Sequence, residues 1–265
     1  MIRSQQASCP VFKPRIRDQP WLNERLHQIL SRNPAMIPTP DLSHLTTKDY
    51  DHVYEPAEDT FLFLDALEED AESLKNMHAS ICLEVGSGSG CVTSFIGKIL
   101  GPSKRNNWLF AVYLCTDINP HACNCTRLTG LQNTYLPIKK VDINPVNGSL
   151  ATPFQSRLVH SVDVILFNPP YVPTPEEEAL IAQTSKDIGG AWAGGWDGMR
   201  VTNIFLQAVE GLLSEKGRFY LVALKENNVP QILKTMKDVH NLTGKASLHR
   251  PFDTFVVVNI HEINR

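Results

Sequence analysis

The sequence predicts a doubly wound α/β sheet of seven strands, with helices on both faces and a terminal antiparallel hairpin. Three observations predict it. Short apolar runs alternate with helical stretches of amphipathic spacing. A glycine-rich loop, Gly86-Ser87-Gly88-Ser89-Gly90, follows the first apolar run and opens a helix. Polar residues suited to holding a ligand stand at the carboxyl ends of four successive strands, the edge where such sheets bind ligands.

Bulk properties agree. Of 265 residues, 42% are hydrophobic and 20% charged, a profile for one fair-sized domain with an appendage. No apolar stretch approaches the roughly 18 residues that span a bilayer, so no membrane association is expected. The formal net charge of −3 disfavours a protein living on phosphate backbones and suits a basic protein partner. None of the six cysteines forms a CxxC pair, and Cys82 and Cys115 sit in strand-like runs, as buried reduced thiols would. His121, Cys123 and Cys125 lie close together, but positions i and i+2 of a helix face different ways, so no metal site is read there.

Residues 1–48 form a proline-rich, flexible N-terminal extension, with Trp21 to Leu30 able to make a short amphipathic helix. Residues 1–35 are expected to be dispensable. The domain proper is placed at 49–265. It opens with Tyr54-Glu55-Pro56-Ala57-Glu58-Asp59-Thr60, where Pro56 suits a first helical turn and Glu58 and Asp59 complement the positive helix end.

Ser80 to Val85 is the first strand and Cys91 to about Leu100 the helix after the glycine loop. The loop spacing is Gly-x-Gly-x-Gly, and Glu84 precedes it. Both depart from the dinucleotide pattern, where a pyrophosphate needs neutralising. A carboxylate here suits a ligand with cationic groups, such as the amino-acid part of S-adenosylmethionine. Residues 101–110 read as a lengthened surface loop. Ala111 to Thr116 is the second strand, ended by Asp117, placed to accept ribose hydroxyls or to cap the helix that starts near Pro120. Leu136 to Val141 is the third strand; Asp142 would then meet an adenine amino group and Ile143 pack on its ring.

Val162 to Phe167 is the fourth strand, and it ends in Asn168-Pro169-Pro170-Tyr171. Asn168 offers a planar amide with donor and acceptor sides. Pro169 and Pro170 stiffen the turn, and Tyr171 supplies an aromatic face at the site's mouth. Such a cluster fits an acceptor nitrogen that is flat, an amide or an exocyclic amine. Pro173 to Gly190 reads as a mobile segment, and Ala191 to Arg200 as a lid, a groove wall or a loop anchored by two core tryptophans. A helix from Val201 to Leu213, a fifth strand from Gly217 to Leu224, a helix from Asn228 to Asp238 and a hairpin of 245–248 with 254–260 complete the chain.

These motifs, together with Ala191-Trp192-Ala193-Gly194-Gly195 and Leu224-Lys225-Glu226-Asn227-Asn228, resemble the Rossmann-like class I methyltransferases, and within them the HemK/PrmC protein glutamine methyltransferases of the short eukaryotic and archaeal branch. The resemblance covers about Val53 to Ile260. It implies methyl transfer from S-adenosyl-L-methionine to the side-chain amide of the Gly-Gly-Gln glutamine of a translation release factor. By position, Thr60, Glu84, Gly86, Gly88, Asp117, Asp142, Ile143 and Asn168 would hold the cofactor. Asn168, Pro169, Pro170 and Tyr171 would form the catalytic turn, with Asn168 and Tyr171 meeting substrate. It further implies a heterodimer with a small zinc-binding activator subunit, histone H4 lysine as a further substrate, and a cytoplasmic and also nuclear location. The rival readings are a protein lysine methyltransferase, a nucleic-acid adenine N6-methyltransferase and a non-catalytic scaffold; a dinucleotide oxidoreductase fails on glycine spacing.

Overall fold

The computed structural model of the chain describes residues 36–101, 111–133, 143–248 and 254–262. The chain divides at Met36, and a compact unit runs from Ile37 to Arg265. The helix expected at Trp21 to Leu30 and the loop at 102–110 lie outside the described residues. The stretch 37–48, placed with the extension from sequence, packs on the unit. Ile37 N–H donates to Glu68 at 2.7 Å, Asp41 N–H to Asn133 Oδ1 at 2.7 Å, and Leu45 joins Val53, Ala122 and Cys125 in an apolar cluster. Its prolines read as a linker; its polar backbone atoms nevertheless find partners on the domain.

The elements, in chain order, are α1 (Thr47–Tyr50), α2 (Glu58–Glu69), α3 (Ala71–Asn76), β1 (Ile81–Val85), α4 (Cys91–Leu100), β2 (Val112–Asp117), α5 (Pro120–Gln132), β3 (Ile143–Asn147), β4 (Val162–Phe167), α6 (Glu176–Ser185), α7 (Arg200–Leu212), β5 (Leu213–Leu224), α8 (Val229–His240), β6 (Leu242–Leu248) and β7 (Phe255–Glu262). The sheet order is β3-β2-β1-β4-β5-β7-β6. β1 to β5 are parallel, and β7 runs antiparallel to both β5 and β6. None of the described helices is long and apolar enough to cross a membrane.

Strand alternation divides the core in two. Cys82, Val164, Leu166 and Tyr220 join Phe63, Leu67, Phe95 and Ile96 of α2 and α4 on one face. Leu83, Ile165, Phe167 and Phe219 join Phe205, Leu206, Ile232 and Met236 of α7 and α8 on the other. All six residues of β4 are buried because both its faces are covered. At about 1.5–3 kcal/mol for each large side chain taken out of water, these two layers supply most of the drive to fold.

β3 runs Ile143–Asn147; the third strand expected at Leu136 to Val141, and Asp142 after it, lie outside the described residues. Pro145 withholds one backbone N–H from the ladder. It is tolerated because β3 is an edge strand, where a missing N–H has a side with no neighbouring strand to serve.

The segment read as mobile, Pro173 to Gly190, is largely helical: α6 is followed by a 3₁₀ turn, Ile188–Ala191. Glu176, Glu177 and Glu178 occupy the first turn of α6 and complement its dipole. Its buried residues, Ala179 and Ala182, are too small to leave a visible apolar stripe in sequence.

Candidate active site

The order of strands reverses between β1 and β4, so connections leave in opposite directions and open a crevice at their carboxyl ends. Register sets what faces it. Val85 pairs with Phe167 and with Thr116, which puts Gly86 beside both Asn168 and Asp117. Asp117 pairs with Asn147, which adds Gly148 to the same edge. A cleft with about 1000 Å³ of empty space, open to solvent, lies there.

The glycine loop is bent to present its backbone. Gly86, Gly88 and Gly90 all have positive φ (71°, 52° and 79°), where side chains are strained. A Cβ on Gly90 would also lie 2.7 Å from Thr126 Cα, so the loop sits directly on α5. Gly86 N–H donates to Thr116 O at 2.8 Å, and Thr126 Oγ1 to Ser87 Oγ at 2.9 Å.

Asp117 receives Gly88 N–H on Oδ2 and Asn119 N–H on Oδ1, both at 2.9 Å. Each oxygen keeps a further lone pair for a diol. Burial raises its pKa, opposed by those two N–H groups. The helix cap is Asn119, whose Oδ1 accepts His121 N–H at 2.9 Å, which frees Asp117 from that duty.

Glu84 is 4% exposed and lines the cleft. Its Oε2 accepts Thr93 N–H at 2.9 Å and the Thr93 hydroxyl. Burial pushes its pKa up to about 8, against these hydrogen bonds. A cationic group arriving here would restore the carboxylate by opposing that burial.

Asn168 and Tyr171 meet on one carboxylate, Asp59, whose place in the sequence marks it as a helix-end charge. Asp59, 1% exposed at the start of α2, accepts from Asn168 Nδ2 at 2.8 Å and from Tyr171 Oη at 2.7 Å on Oδ2. Its Oδ1 accepts Thr60 N–H at 2.7 Å and Tyr54 Oη at 3.2 Å. Ionised carboxylate only accepts, so the Asn168 amide must turn its NH₂ toward Asp59. Asn168 lines the cleft, and its Oδ1 is a buried acceptor with no partner. A signal existed in the sequence. Asp59 lies three and four residues before Leu62 and Phe63, on the buried face of α2, where an acid must find donors.

Other expected residues fall differently. Thr60 is buried and lines the cleft. Pro170 lines it too; Pro169 is buried behind it. Tyr171 does not offer its face at the mouth: it is buried, edge-on to Phe255 at 5.5 Å, because its hydroxyl is drawn inward by Asp59. Burial first, then the Asp59 charge, raises its pKa far above the usual phenol range. Ile143 also fails as a wall of the site. It pairs with Tyr113 at the starting end of β3 and packs under Gly130 of α5. This edge of the cleft is lined by Gly148, Ser149 and Leu150, with Ile118 giving apolar surface beside Asp117, and Asp142 lies outside the described residues. Asn147 Nδ2 ties this end to β2 by donating to Asp117 O and Ile118 O at 3.0 and 2.9 Å.

The stretch 191–198 is a wall braced on the turn at Asn168 to Tyr171. Val172 N–H donates to Trp192 O, Gly194 N–H to Val172 O and Thr174 N–H to Gly195 O, at 2.8–3.0 Å. A Cβ on Gly198 would lie 2.1 Å from Tyr171 O. Asn227 holds the wall from behind: its Nδ2 donates to Asp197 O at 3.2 Å while its Oδ1 accepts Leu224 N–H at 2.7 Å. The tryptophans are not core anchors; Trp196 is 86% exposed.

The arrangement can hold a nucleoside with an amino-acid arm and orient a planar N–H donor against Asn168 Oδ1. No protein-family model matches the sequence. The chain is 46% identical over 212 residues to the methyltransferase HEMK2 of Homo sapiens, covering 80% of this chain and 90% of that protein. It is 39% identical over 236 residues to the eRF1 methyltransferase catalytic subunit mtq2 of Schizosaccharomyces pombe, covering 86% and 97%. Among solved structures, the E. cuniculi Mtq2–Trm112 complex, responsible for methylation of the eRF1 translation termination factor, matches with a TM-score of 0.53 at 23% identity, over 80% of this chain and 99% of that one. That likeness shows the class I methyltransferase fold. At these identities and coverages, the chain belongs to the methyltransferase family of HEMK2 and the Mtq2 catalytic subunits.

Proposed function

We propose that this methyltransferase uses S-adenosyl-L-methionine to methylate the side-chain amide of the Gly-Gly-Gln glutamine in a translation termination factor, as the catalytic subunit of a heterodimer with a small zinc-binding activator. The observation that carries it is the unpartnered Oδ1 of Asn168, fixed by Asp59 on its other side.

The cleft fits the cofactor on its own terms. Its glycine backbone leaves room for close approach, Asp117 has lone pairs for a ribose, and Glu84 awaits a cation. Ile118 and Leu150 offer flat apolar surface for a base ring. When bound, S-adenosylmethionine supplies an electrophilic methyl group on a cationic sulfur.

The chain's residues do the rest by position and charge. An amide nitrogen is a weak nucleophile because its lone pair is delocalised. Asn168 Oδ1 accepts one of its N–H groups, orients the plane and favours positive charge growing on the nitrogen. The Asp59 carboxylate polarises Asn168 through Nδ2, strengthening that acceptor. The stiff Pro169-Pro170 turn and the braced 191–198 wall keep Asn168 from swinging away.

The test is methyl transfer from labelled S-adenosylmethionine to the purified termination factor, with the activator co-expressed. Label on the wild-type factor, and none once the Gly-Gly-Gln glutamine is replaced, is the expected result. Absence of label with cofactor binding intact would overturn the substrate assignment.

A further inference from the structure

Three side chains with metal-binding atoms meet where α1 lies against α5: Asp49, His121 and Cys125. One carboxylate oxygen, one ring nitrogen and the sulfur all lie within 4.8 Å of one another. His121, Cys123 and Cys125 do not converge as a run, because neighbours at i and i+2 of a helix diverge. The productive pair is His121 with Cys125, four apart on one face of α5. Asp49 arrives from a segment 72 residues earlier, its Oδ1 at 3.2 Å from His121 Nε2. At that distance the two are hydrogen-bonded, and a cation between them would replace that bond with little movement. With zinc bonds of about 2.0–2.1 Å to nitrogen and oxygen, a tetrahedron sets such ligands about 3.3 Å apart.

The surroundings are those of a built site. Asp49 Oδ2 is engaged by Thr46 N–H at 2.8 Å and Thr46 Oγ1 at 2.7 Å, which aims Oδ1 at His121. Cys125 is fully buried and forms the floor with Leu45, Val53 and Ala122. His121 and Asp49 are partly exposed, so a cation has an entry and a water can take the fourth position.

We propose that Asp49 Oδ1, His121 Nε2 and Cys125 Sγ form a zinc site that clamps α1 to α5. Binding releases the Cys125 thiol proton to solvent, and thiolate plus carboxylate then balance the dication, leaving the half-buried site neutral. The clamp has a consequence for the cleft. α1 leads into His52, Val53 and Tyr54, which line it, and Asn119 Nδ2 already donates to His52 O at 2.9 Å. A cation therefore fixes the cleft's α1 wall from outside. The inference does not depend on which substrate is methylated.

The test uses the full chain stripped with chelator and titrated with Co²⁺. Expected are one equivalent bound with a sulfur-to-cobalt charge-transfer band, displacement by one equivalent of Zn²⁺, and a higher Tm with Zn²⁺. His121→Ala, at a partly exposed position, removes the band and the bound equivalent. Cys123→Ser, whose thiol lies outside the cluster, keeps both. Cys125→Ser alters a core position, so the His121→Ala comparison decides. Taken as wild type minus His121→Ala, the readings also cancel any metal on a copurified subunit. Lack of the band at one equivalent, or its survival in His121→Ala, overturns the site.

Discussion

Asp59 Oδ2 accepts hydrogen bonds from Asn168 Nδ2 and Tyr171 Oη at once, at 2.8 and 2.7 Å, across more than a hundred residues of chain. One buried carboxylate thus fixes both polar ends of the Asn168 to Tyr171 turn. With its oxygen toward Thr60 N–H, an amide at this position turns its NH₂ to Asn168 and Tyr171, whose present donors must then turn away. Asp59→Asn is expected to lower kcat about 10²-fold or more and to cost about 1–3 kcal/mol of stability through an unmet buried donor. Turnover assays and denaturant unfolding check both. Unchanged kcat would remove Asp59 from the positioning role.

Asn168→Ala deletes the free acceptor while leaving Glu84, Asp117 and the glycine loop in place. Turnover is expected to fall by about 10²–10³, with S-adenosylmethionine affinity changed only a few-fold. Single-turnover rates and calorimetric binding separate the two, and near-normal turnover contradicts the mechanism.

Glu84 makes cofactor binding proton-linked. With its pKa at about 8, the free protein holds this carboxyl protonated at neutral pH, and a cationic ligand requires it ionised. Binding at pH 7 is therefore expected to release up to one proton, and affinity to rise with pH until about 8. Calorimetry in two buffers of different ionisation enthalpy reads the proton directly. The stability sign follows from the same shift. Between the ordinary value of 4.5 and about 8 the folded state binds the extra proton, so without ligand stability falls as pH rises through this window and levels above it.

Gly198→Ala puts a methyl group 2.1 Å from Tyr171 O at a residue with φ of +71°. The wall must move off the Asn168 to Tyr171 turn or the turn must shift. A loss on the order of 2 kcal/mol in stability is expected, along with reduced kcat. A thermal melt and an activity assay decide.

Trp196 stands 86% exposed on the wall beside Asn168 to Tyr171. Trp196→Ala is expected to leave Tm within about a degree, since surface changes cost little. It should raise KM for the protein substrate several-fold with KM for cofactor unchanged. An unaltered substrate KM would exclude Trp196 from docking.

Much of the fold was legible because local pattern and burial agree. The apolar runs at Ile81 to Val85 and Val162 to Phe167 are central parallel strands, and the glycine loop opens α4 at Cys91, as read. The exceptions share a cause. β3 carries a proline that only an edge strand accommodates. α6 buries only alanines, so its period is faint. Tyr171 reads as a surface aromatic until its hydroxyl is seen on Asp59.

By itself the sequence determined the chemistry on offer: a glycine loop, acids at strand ends and a planar amide after β4 are local facts, set by residue type and by alternation along a strand. Tertiary structure decided which of these meet. Register placed Gly86 between Asp117 and Asn168, kept Ile143 at the starting end of β3 and brought Ser149 and Leu150 to the cleft. Folding also turned Asp59 from a helix-end charge into the hub of the site. A buried carboxylate must collect donors from wherever the chain supplies them, and at Asp59 two of them come from a turn 109 and 112 positions away.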